Sequence, residues 1–200
     1  MKPDLIIDFD NTIGNSSQAA IDVFCQKHNR TPIKLERNKL QWDWAPYLSP
    51  EEAKETLKYF ALPEMYAALD FVDEYFIPVI KQLSEKYNII ICSKRDKGCY
   101  TPLVEWLETN MPCEYATCFV STFDKSFVGR PGSIIIDDKP RCLLGNNDRS
   151  LKILFGTWKY TALEALDILP EQSIEFAKNL KIADNWKEVG EILLDESRTD

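Results

Sequence analysis

Short apolar runs recur along the chain and predict the strands of a sheet. The first run, Leu5-Ile6-Ile7, lies within a strand expected over residues 4–9. Similar runs predict further strands over residues 88–93, 116–121, 133–137 and 151–156. Consecutive apolar positions of this kind are typical of strands that are buried on both faces.

Apolar residues recur at helical spacing between these runs. In residues 74–87 they are Phe76, Val79, Ile80, Leu83 and Tyr87. Further helices are expected over residues 99–109, near 171–181 and over 185–194, and the stretch 15–70 is expected to be mostly helical. Strands that alternate with helices indicate a parallel sheet flanked by helices, so the predicted class is α/β.

Acidic residues stand at the ends of two predicted strands. Asp8 and Asp10 follow the first apolar run, and Asp137 and Asp138 follow another. Two like charges at the end of a buried strand are costly unless a cation or a substrate compensates them. Because ligands of open α/β sheets bind beyond the carboxyl ends of the strands, these residues predict a metal-assisted acidic site. The alternative is a solvated junction between strand and loop.

Hydroxyl and basic residues follow other predicted strands. Ser93 ends one strand and is followed by Lys94 and Arg95, and Lys125 lies in the segment Asp124-Lys125-Ser126. If these strand ends meet the acidic ones, a cation site lies beside an anion site. Phosphoryl transfer requires such a site, because it needs a nucleophile, a magnesium ion and partners for the phosphoryl oxygens.

The order of these residues resembles the haloacid dehalogenase (HAD) superfamily of phosphatases with an aspartate nucleophile. The four motifs are Asp8-x-Asp10-x-Thr12, Ser93, Lys125 and Asp137-Asp138. The resemblance implies a Rossmann-like core of residues 1–14 and 73–200, with a small helical cap at 15–72 inserted after the first strand. True dehalogenases lack the carboxylate two residues after the nucleophile, so Asp10 indicates a phosphatase.

The resemblance also implies a role for each acidic residue. Asp8 would be the nucleophile that forms an aspartyl-phosphate. Asp10 would protonate the leaving oxygen and then activate water. Asp8, the backbone carbonyl of Asp10 and Asp137 would bind Mg²⁺, and Asp138 would complete the metal site by orienting metal-bound water.

Phosphate binding is implied for residues of the other motifs. Ser93 and Lys125 would hold the phosphoryl oxygens, and Thr12 would fix the loop at the phosphate site. Lys94 is expected to bind substrate because it directly follows the phosphate-binding hydroxyl. From the sequence, Arg95 has two possible roles: it could bind phosphate, or it could cap the end of the strand.

Two tryptophans in the expected cap do not fit a helical core stripe. They are Trp42 and Trp44, and one of their rings is expected to face the active site. Aromatic rings beside a phosphate site suit a flat leaving group such as a nucleobase. The predicted substrate is therefore a small phosphomonoester that carries a base, a nucleoside monophosphate.

Three segments narrow the resemblance to the cytosolic 5′(3′)-deoxyribonucleotidases and their bacterial and phage relatives. They are residues 65–69, 89–94 and 124–128. Three departures from that group leave the exact substrate open: Asn11 stands at a usual glycine position, Ser93-Lys94 replaces a Thr-Ser pair, and the loop between Lys125 and Asp137, which contains Gly129-Arg130-Pro131-Gly132, is longer.

Composition excludes several other classes. A net charge of −8 and a pI near 4.9 argue against a protein that binds a nucleic-acid polymer through its phosphates. No apolar run approaches the roughly 18 residues of a membrane helix. The chain enters its first strand at residue 4, which leaves no room for a signal peptide and predicts a cytoplasmic protein. Six scattered cysteines without a CxxC pair are expected to be free thiols.

Other functions stay open at the level of sequence. The same site could serve a sugar phosphate or a cofactor intermediate, or, less in keeping with the acidic charge, a 3′-phosphate at a nucleic-acid end. A non-catalytic binding protein with the HAD fold is a further alternative, although such proteins usually lose Asp8 or Asp10. Base and sugar preference and the oligomeric state, a homodimer included, are not fixed by the sequence.

Overall fold

The computed structural model describes residues 1–95, 97–144, 148–168, 172 and 176–195. Within this part of the chain, one parallel sheet contains β1 (Asp4–Ile7), β2 (Asn88–Lys94), β3 (Ala116–Val120), β4 (Ile134–Asp137), β5 (Leu151–Phe155) and β6 (Leu180–Ala183). The strand order is β3-β2-β1-β4-β5-β6.

Strand β1 lies at the centre of the sheet and is fully buried. Ile7 of β1 is in register with Ile91 of β2 and with Ile136 of β4. The chain order reverses at β1, with β2 and β3 on one side and β4 to β6 on the other. The carboxyl ends of β1, β2 and β4 therefore meet at the position where open α/β sheets bind their ligands.

Helices cover the sheet and form an inserted segment. They are α1 (Ser16–Lys27), α2 (Pro50–Thr56), α3 (Pro63–Ala67), α4 (Phe76–Lys86), α5 (Tyr100–Asn110), α6 (Pro140–Leu143), α7 (Lys159–Leu166) and α8 (Trp186–Leu194), with 3₁₀ turns at Leu57–Ala61 and Lys97–Cys99. Helix α4 buries Phe76, Val79, Ile80 and Leu83 and packs against α8.

The inserted segment, residues 15–72, begins and ends at neighbouring points of the chain. The Asn15 N–H donates to the Asp70 carbonyl at 2.9 Å, and the Val72 N–H donates to the Ile13 carbonyl at 2.8 Å. The start of α2 is set locally by a capping box, in which the Ser49 N–H donates to Glu52 Oε2 at 2.8 Å.

The core of the insertion and the core of the sheet are continuous. Phe24, Leu40 and Trp44 of the insertion belong to the same cluster of buried residues as Leu5 and Ile7 of β1. The boundaries of a separate cap, residues 15–72, remain a prediction.

Most of the predicted elements are confirmed, including the α/β class and the five strands. The helix predicted near 171–181 is wrong at its end, because β6 begins at Leu180, and residues 171 and 173–175 lie outside the described part of the chain. Helix α7 was not predicted, and the stretch 15–70 contains long irregular segments between its helices. The edge strand β6 is only partly buried, so it lacks the continuous apolar run that marks the central strands.

Candidate active site

The turn after β1 carries Asp8 and Asp10. The Asp8 N–H donates to the Ile136 carbonyl at 2.9 Å and so extends the pairing of β1 with β4. The Phe9 carbonyl then accepts the N–H groups of Ile13 and Gly14 at 2.9 and 3.0 Å, which reverses the chain. This tight turn holds both carboxylates at the carboxyl edge of the sheet.

Thr12 is fully buried in the same turn. Its carbonyl accepts the indole N–H of Trp186 at 2.7 Å, and its hydroxyl has no hydrogen-bond partner among the described residues. The backbone of Thr12 therefore links the turn to helix α8.

Lys125 joins two of the acidic residues. Its Nζ donates to Asp8 Oδ1 at 2.5 Å and to Asp137 Oδ2 at 2.7 Å, and its side chain is buried. Burial lowers the pKa of Lys125, but the charges of Asp137 and Asp8 outweigh burial and hold that pKa well above its ordinary value. Lys125 is thus a permanent cation between the carboxylates.

Asp8, Asp137 and Asp138 form a buried cluster, in which one oxygen from each lies within 4.8 Å of the others. Burial is the main cause that raises the pKa of Asp8 to about 6, against the opposing charge of Lys125. Burial also raises the pKa of Asp138 well above its ordinary value. The single Lys125 ammonium thus lies against a cluster of three buried carboxyl groups, whose oxygens are the donor type that a hard divalent cation prefers.

Tyr160 and Asn11 support Asp138. The Tyr160 hydroxyl donates to Asp138 Oδ2, and Asn11 Nδ2 donates to the Tyr160 oxygen at 3.1 Å. Asn11 has a φ of 56°, a conformation that asparagine tolerates better than most residues, so it can stand where a glycine is usual. Its amide oxygen also accepts the Ser17 N–H at 3.0 Å. Tyr160 was missed in the sequence because it lies on the unpredicted helix α7.

Arg95 forms a fork with Asp10. Its two terminal nitrogens donate to the two oxygens of Asp10, with Nη2 at 2.6 Å from Oδ1. Burial raises the pKa of Asp10, but the charge and hydrogen bonds of Arg95 outweigh burial and bring that pKa below its ordinary value. Arg95 is 7% exposed, whereas Lys94 is exposed. Of the two basic residues, Arg95 is therefore the one in direct contact with the acidic site.

Ser93 and Lys94 lie at the end of β2 on opposite sides. The Ser93 hydroxyl is buried and has no hydrogen-bond partner within the described ranges. Lys94 Nζ lies 4.1 Å from the centroid of the Phe123 ring. Ser93 thus has a buried hydroxyl without a partner among the described residues, and Lys94 places an exposed charge on the other side of the strand end.

A cavity of about 790 Å³ opens above these residues. Asp8, Asp10, Arg95 and Lys125 line its charged end. Of the residues expected to bind phosphate or base, Lys94, Trp42 and Trp44 also line it, whereas Thr12 and Ser93 are buried and do not line it.

The aromatic wall of the cavity has a buried and an exposed part. Trp44 is 4% exposed and belongs to the hydrophobic core, while Trp42 is 56% exposed. The Trp42 ring packs against Tyr160 at 5.1 Å between centroids, and Lys139 Nζ lies 3.7 Å from its centroid. Trp42 is therefore the ring that can respond to a bound ligand.

Arg149 fixes the loop that carries Lys125. Its guanidinium donates to the carbonyls of Ser126 and Val128 at 3.0 and 2.5 Å and to that of Lys125 at 3.2 Å. These bonds hold a segment that has no regular secondary structure. No periodic pattern in the sequence therefore predicts that Arg149 supports the Lys125 loop.

Two further sequence expectations concern the whole chain. The six cysteines form no disulfide bonds with one another, in agreement with the expectation of reduced thiols. Among the described helices, none is both long and apolar enough to cross a membrane.

Comparisons with known proteins identify the family and the fold of the chain. The family described as 5′ nucleotidase, deoxy (pyrimidine), cytosolic type C protein (NT5C) matches residues 2–197. Among solved structures, a haloacid dehalogenase-like hydrolase from Streptococcus pneumoniae is similar at 16% identity, with 94% of this chain and 96% of that chain covered and a TM-score of 0.56. A "predicted phosphatase" from Clostridium acetobutylicum is similar at 13% identity, covering 97% and 99%, with a TM-score of 0.56. At these identities the structures establish the HAD fold alone, and no curated protein sequence matches the chain.

Proposed function

The chain belongs to the cytosolic type C family of deoxy (pyrimidine) 5′-nucleotidases, and on that basis we propose that it hydrolyses nucleoside monophosphates as a magnesium-dependent 5′(3′)-deoxyribonucleotidase. That it is a phosphatase with the HAD fold follows from the family itself. The observation that carries the finer proposal is the cavity, which has carboxylates and cations at one end and aromatic rings along its wall. Its volume lies in the usual range for a small-molecule site.

Asp8 is the proposed nucleophile. It lines the cavity, and its Oδ1 is held by Lys125 at 2.5 Å. A carboxylate oxygen of Asp8 attacks phosphorus, the ester P–O bond breaks, and the leaving oxygen takes a proton from the protonated carboxyl of Asp10. Asp10, now a carboxylate, then takes a proton from water, whose oxygen attacks phosphorus and breaks the bond to Asp8. Phosphate is released, Asp8 is regenerated as a carboxylate, and Asp10 is again protonated.

Lys125 and Ser93 are the proposed partners of the phosphoryl oxygens. Two hydrogen bonds fix the Lys125 ammonium beside the nucleophile, and a third N–H stays available because an ammonium has three. The buried Ser93 hydroxyl lacks a partner in the described part of the chain, as expected of a donor reserved for a ligand. Both donors are in place before substrate arrives, which is the arrangement that stabilises developing charge.

The acidic cluster fits a magnesium ion. Its oxygens come from Asp8, Asp137 and Asp138, all buried and within 4.8 Å of one another. Magnesium would supply positive charge for the phosphoryl oxygens during transfer. The Asp10 carbonyl is the further proposed ligand, and Tyr160 orients Asp138 through its hydrogen bond.

The aromatic wall favours a nucleoside as the leaving group. Trp42, which is largely exposed, and Phe123 line the cavity together with Phe60 of the insertion. Stacking on such rings is tolerant of base identity, so it selects a base without choosing among bases. We propose that residues 15–72 act as the cap that carries this part of the pocket.

A panel of phosphate esters tests the proposal. The panel contains deoxyribonucleoside and ribonucleoside 5′- and 3′-monophosphates, sugar phosphates and a 3′-phosphorylated oligonucleotide, and phosphate release is measured with Mg²⁺. We expect kcat/KM for at least one nucleoside monophosphate to exceed that for every sugar phosphate by about tenfold or more, a difference of ~1.4 kcal/mol. A sugar phosphate or the oligonucleotide as best substrate would overturn the nucleotidase assignment.

The metal requirement is tested in the same assay. Activity should disappear with EDTA and return with Mg²⁺, and Ca²⁺ should inhibit because its looser coordination misplaces the phosphoryl group. Full activity in metal-stripped protein would overturn the magnesium mechanism.

A further inference from the structure

The contact between Arg95 and Asp10 occupies both oxygens of the proposed catalytic acid. Arg95 Nη2 lies 2.6 Å from Asp10 Oδ1, and Nη1 donates to Oδ2. The fork engages one lone pair of each oxygen, and a cation beside both oxygens disfavours a proton on either of them. The arrangement of the free protein therefore opposes the acid step, and a substrate that draws Arg95 away from Asp10 would relieve that opposition.

We propose that Arg95 exchanges partners, binding the Asp10 carboxylate in the free protein and the phosphoryl oxygens of the substrate in the complex. This inference rests on the proposed function and adds a substrate-binding residue to it. The exchange releases Asp10 when, and only when, a phosphate group is in the site.

The position of Arg95 suits both partners. Arg95 lines the cavity together with Asp8, Asp10 and Lys125, so a phosphoryl group bound there lies beside the guanidinium. A guanidinium fork matches two oxygens of a phosphate as well as those of a carboxylate. The phosphate carries up to two negative charges and the carboxylate one, which favours transfer of the fork to the phosphate.

The surroundings of Arg95 allow a small shift of its guanidinium. The group lies 5.7 Å from the centroid of the Phe9 ring and 6.0 Å from that of Phe60. Its Nε is buried without a hydrogen-bond partner among the described residues, and in the same part of the chain Asp10 is the carboxylate that pairs with the group. Nη1 also donates to the Lys94 carbonyl at 3.5 Å, a long hydrogen bond. Flat aromatic neighbours accept a sliding guanidinium, and apart from the bonds to Asp10 the shift would break only that long bond.

Binding of inorganic phosphate, measured by titration calorimetry with saturating Mg²⁺, tests the exchange without turnover. Arg95→Met should weaken phosphate binding about 10- to 100-fold, because charge-assisted hydrogen bonds are lost. The phosphate affinity of Arg95→Lys should lie between those of the wild type and Arg95→Met, since lysine keeps the charge and loses the fork. Arg130→Met is the matched control: it removes a similar fork, with Asp4, at the other end of β1, and should leave phosphate affinity unchanged.

Asp10→Asn gives the reciprocal test. Without the competing carboxylate, Arg95 is free for the ligand, so Asp10→Asn should bind phosphate more tightly than the wild type. That gain in affinity should vanish when Arg95→Met or Arg95→Lys is added, because the gain depends on a free Arg95 fork. The four proteins form a double-mutant cycle, whose coupling energy measures the exchange. Circular dichroism checks that each variant folds. If Arg95→Met does not fold, the Arg95→Lys variants, alone and combined with Asp10→Asn, provide the test instead.

Two results would overturn the exchange. One is an unchanged phosphate affinity in a folded Arg95→Met protein, and the other is a gain in phosphate affinity from Asp10→Asn that persists when Arg95 is also replaced. If the wild type hydrolyses nucleotides while phosphate affinity is independent of Arg95, the exchange alone fails. If the Arg95-dependent binding is present but no nucleotide is hydrolysed, the exchange stands and the substrate assignment fails.

Discussion

The two ends of β1 both hold a fork between an arginine and an aspartate, but in different surroundings. At the amino end, Arg130 donates to Asp4 through Nε at 2.9 Å and Nη2 at 2.5 Å, and Asn88 adds a bond at 3.1 Å. At the carboxyl end, four carboxylates lie together, and in the described part of the chain Lys125 and Arg95 are the cations that form ion pairs with them.

The difference separates a stabilising carboxylate from a reactive one. Hydrogen bonds from Arg130 lower the pKa of Asp4 to about 2, so its charge favours folding. Burial raises the pKa of Asp8 to about 6, so its charge opposes folding. One end of the strand is compensated within the chain, and the other keeps negative charge for a metal and a substrate to balance.

Replacing the nucleophile should give the largest effect. Asp8→Asn should abolish turnover, because an amide forms no aspartyl-phosphate. Without metal the variant should melt at a higher temperature than the wild type above pH 6, since the wild type loses stability as pH rises from about 4 through 6 while Asp8 ionises. Phosphate release and thermal melts measure both. More than about a tenth of wild-type activity, a loss under ~1.4 kcal/mol, would contradict the assignment.

Removing the buried lysine should come next. Lys125→Met leaves Asp8 and Asp137 without their shared cation, which should cost ~3–5 kcal/mol of stability. Mg²⁺ should restore part of that loss, because it supplies charge to the same carboxylates. Chemical denaturation with and without Mg²⁺ measures both values. Arg130→Met is the comparison at the other end: it keeps the acidic cluster intact, so Mg²⁺ should stabilise it no more than it stabilises the wild type. A Mg²⁺-dependent recovery equal to that of Lys125→Met would remove the contrast.

Trp42→Ala should change recognition with little effect on folding. The ring is 56% exposed, so its loss leaves the core intact. Loss of base stacking should raise KM for nucleoside monophosphates by a factor that corresponds to ~1–3 kcal/mol of binding free energy. Hydrolysis of p-nitrophenyl phosphate should change much less. Tyr75→Ala, at an exposed ring outside the cavity, is the control. Equal losses on both substrates would leave base selection unsupported by Trp42.

Asp4→Asn should give the smallest effect and no change in activity. The variant should lose roughly 1–2 kcal/mol at neutral pH, because the partner Arg130 is partly exposed and its charge is screened. The contribution is present above the ordinary pKa and is lost as pH falls towards 2, so the two proteins should converge between about pH 4 and pH 2. Urea denaturation at several pH values measures this, and a gap that widens in acid would contradict it.

The central strands and their catalytic ends were predictable because continuous apolar runs and parallel strands leave few alternatives. Asp8, Asp10 and Asp137 follow such runs directly, so their meeting at one edge followed from the class of the sheet. Lys125 was located by its place in the family pattern, since its loop has no periodicity to read.

The support around the site could not be predicted in the same way. Tyr160 and Arg149 come from distant segments, and only the tertiary fold brings them to Asp138 and to the Lys125 loop. Arg95 did leave a signal: side chains of a strand alternate between faces, so a buried Ser93 places Arg95 on its own side and Lys94 on the other. Lys94 directly follows the hydroxyl in the sequence and was therefore the expected substrate-binding residue, but the alternation of the strand turns it away from Ser93.

The paired ends of the inserted segment bear on how freely it could be exchanged. By connectivity the segment is a module, because Ile13 and Val72 already lie within hydrogen-bond distance and a short turn could replace everything between them. By packing it is not, because Phe24, Leu40 and Trp44 share one core with the sheet. A transplanted segment would have to match that apolar surface as well as the two attachment points. Engineering of substrate choice is therefore better directed at single rings such as Trp42 than at replacement of the whole insertion.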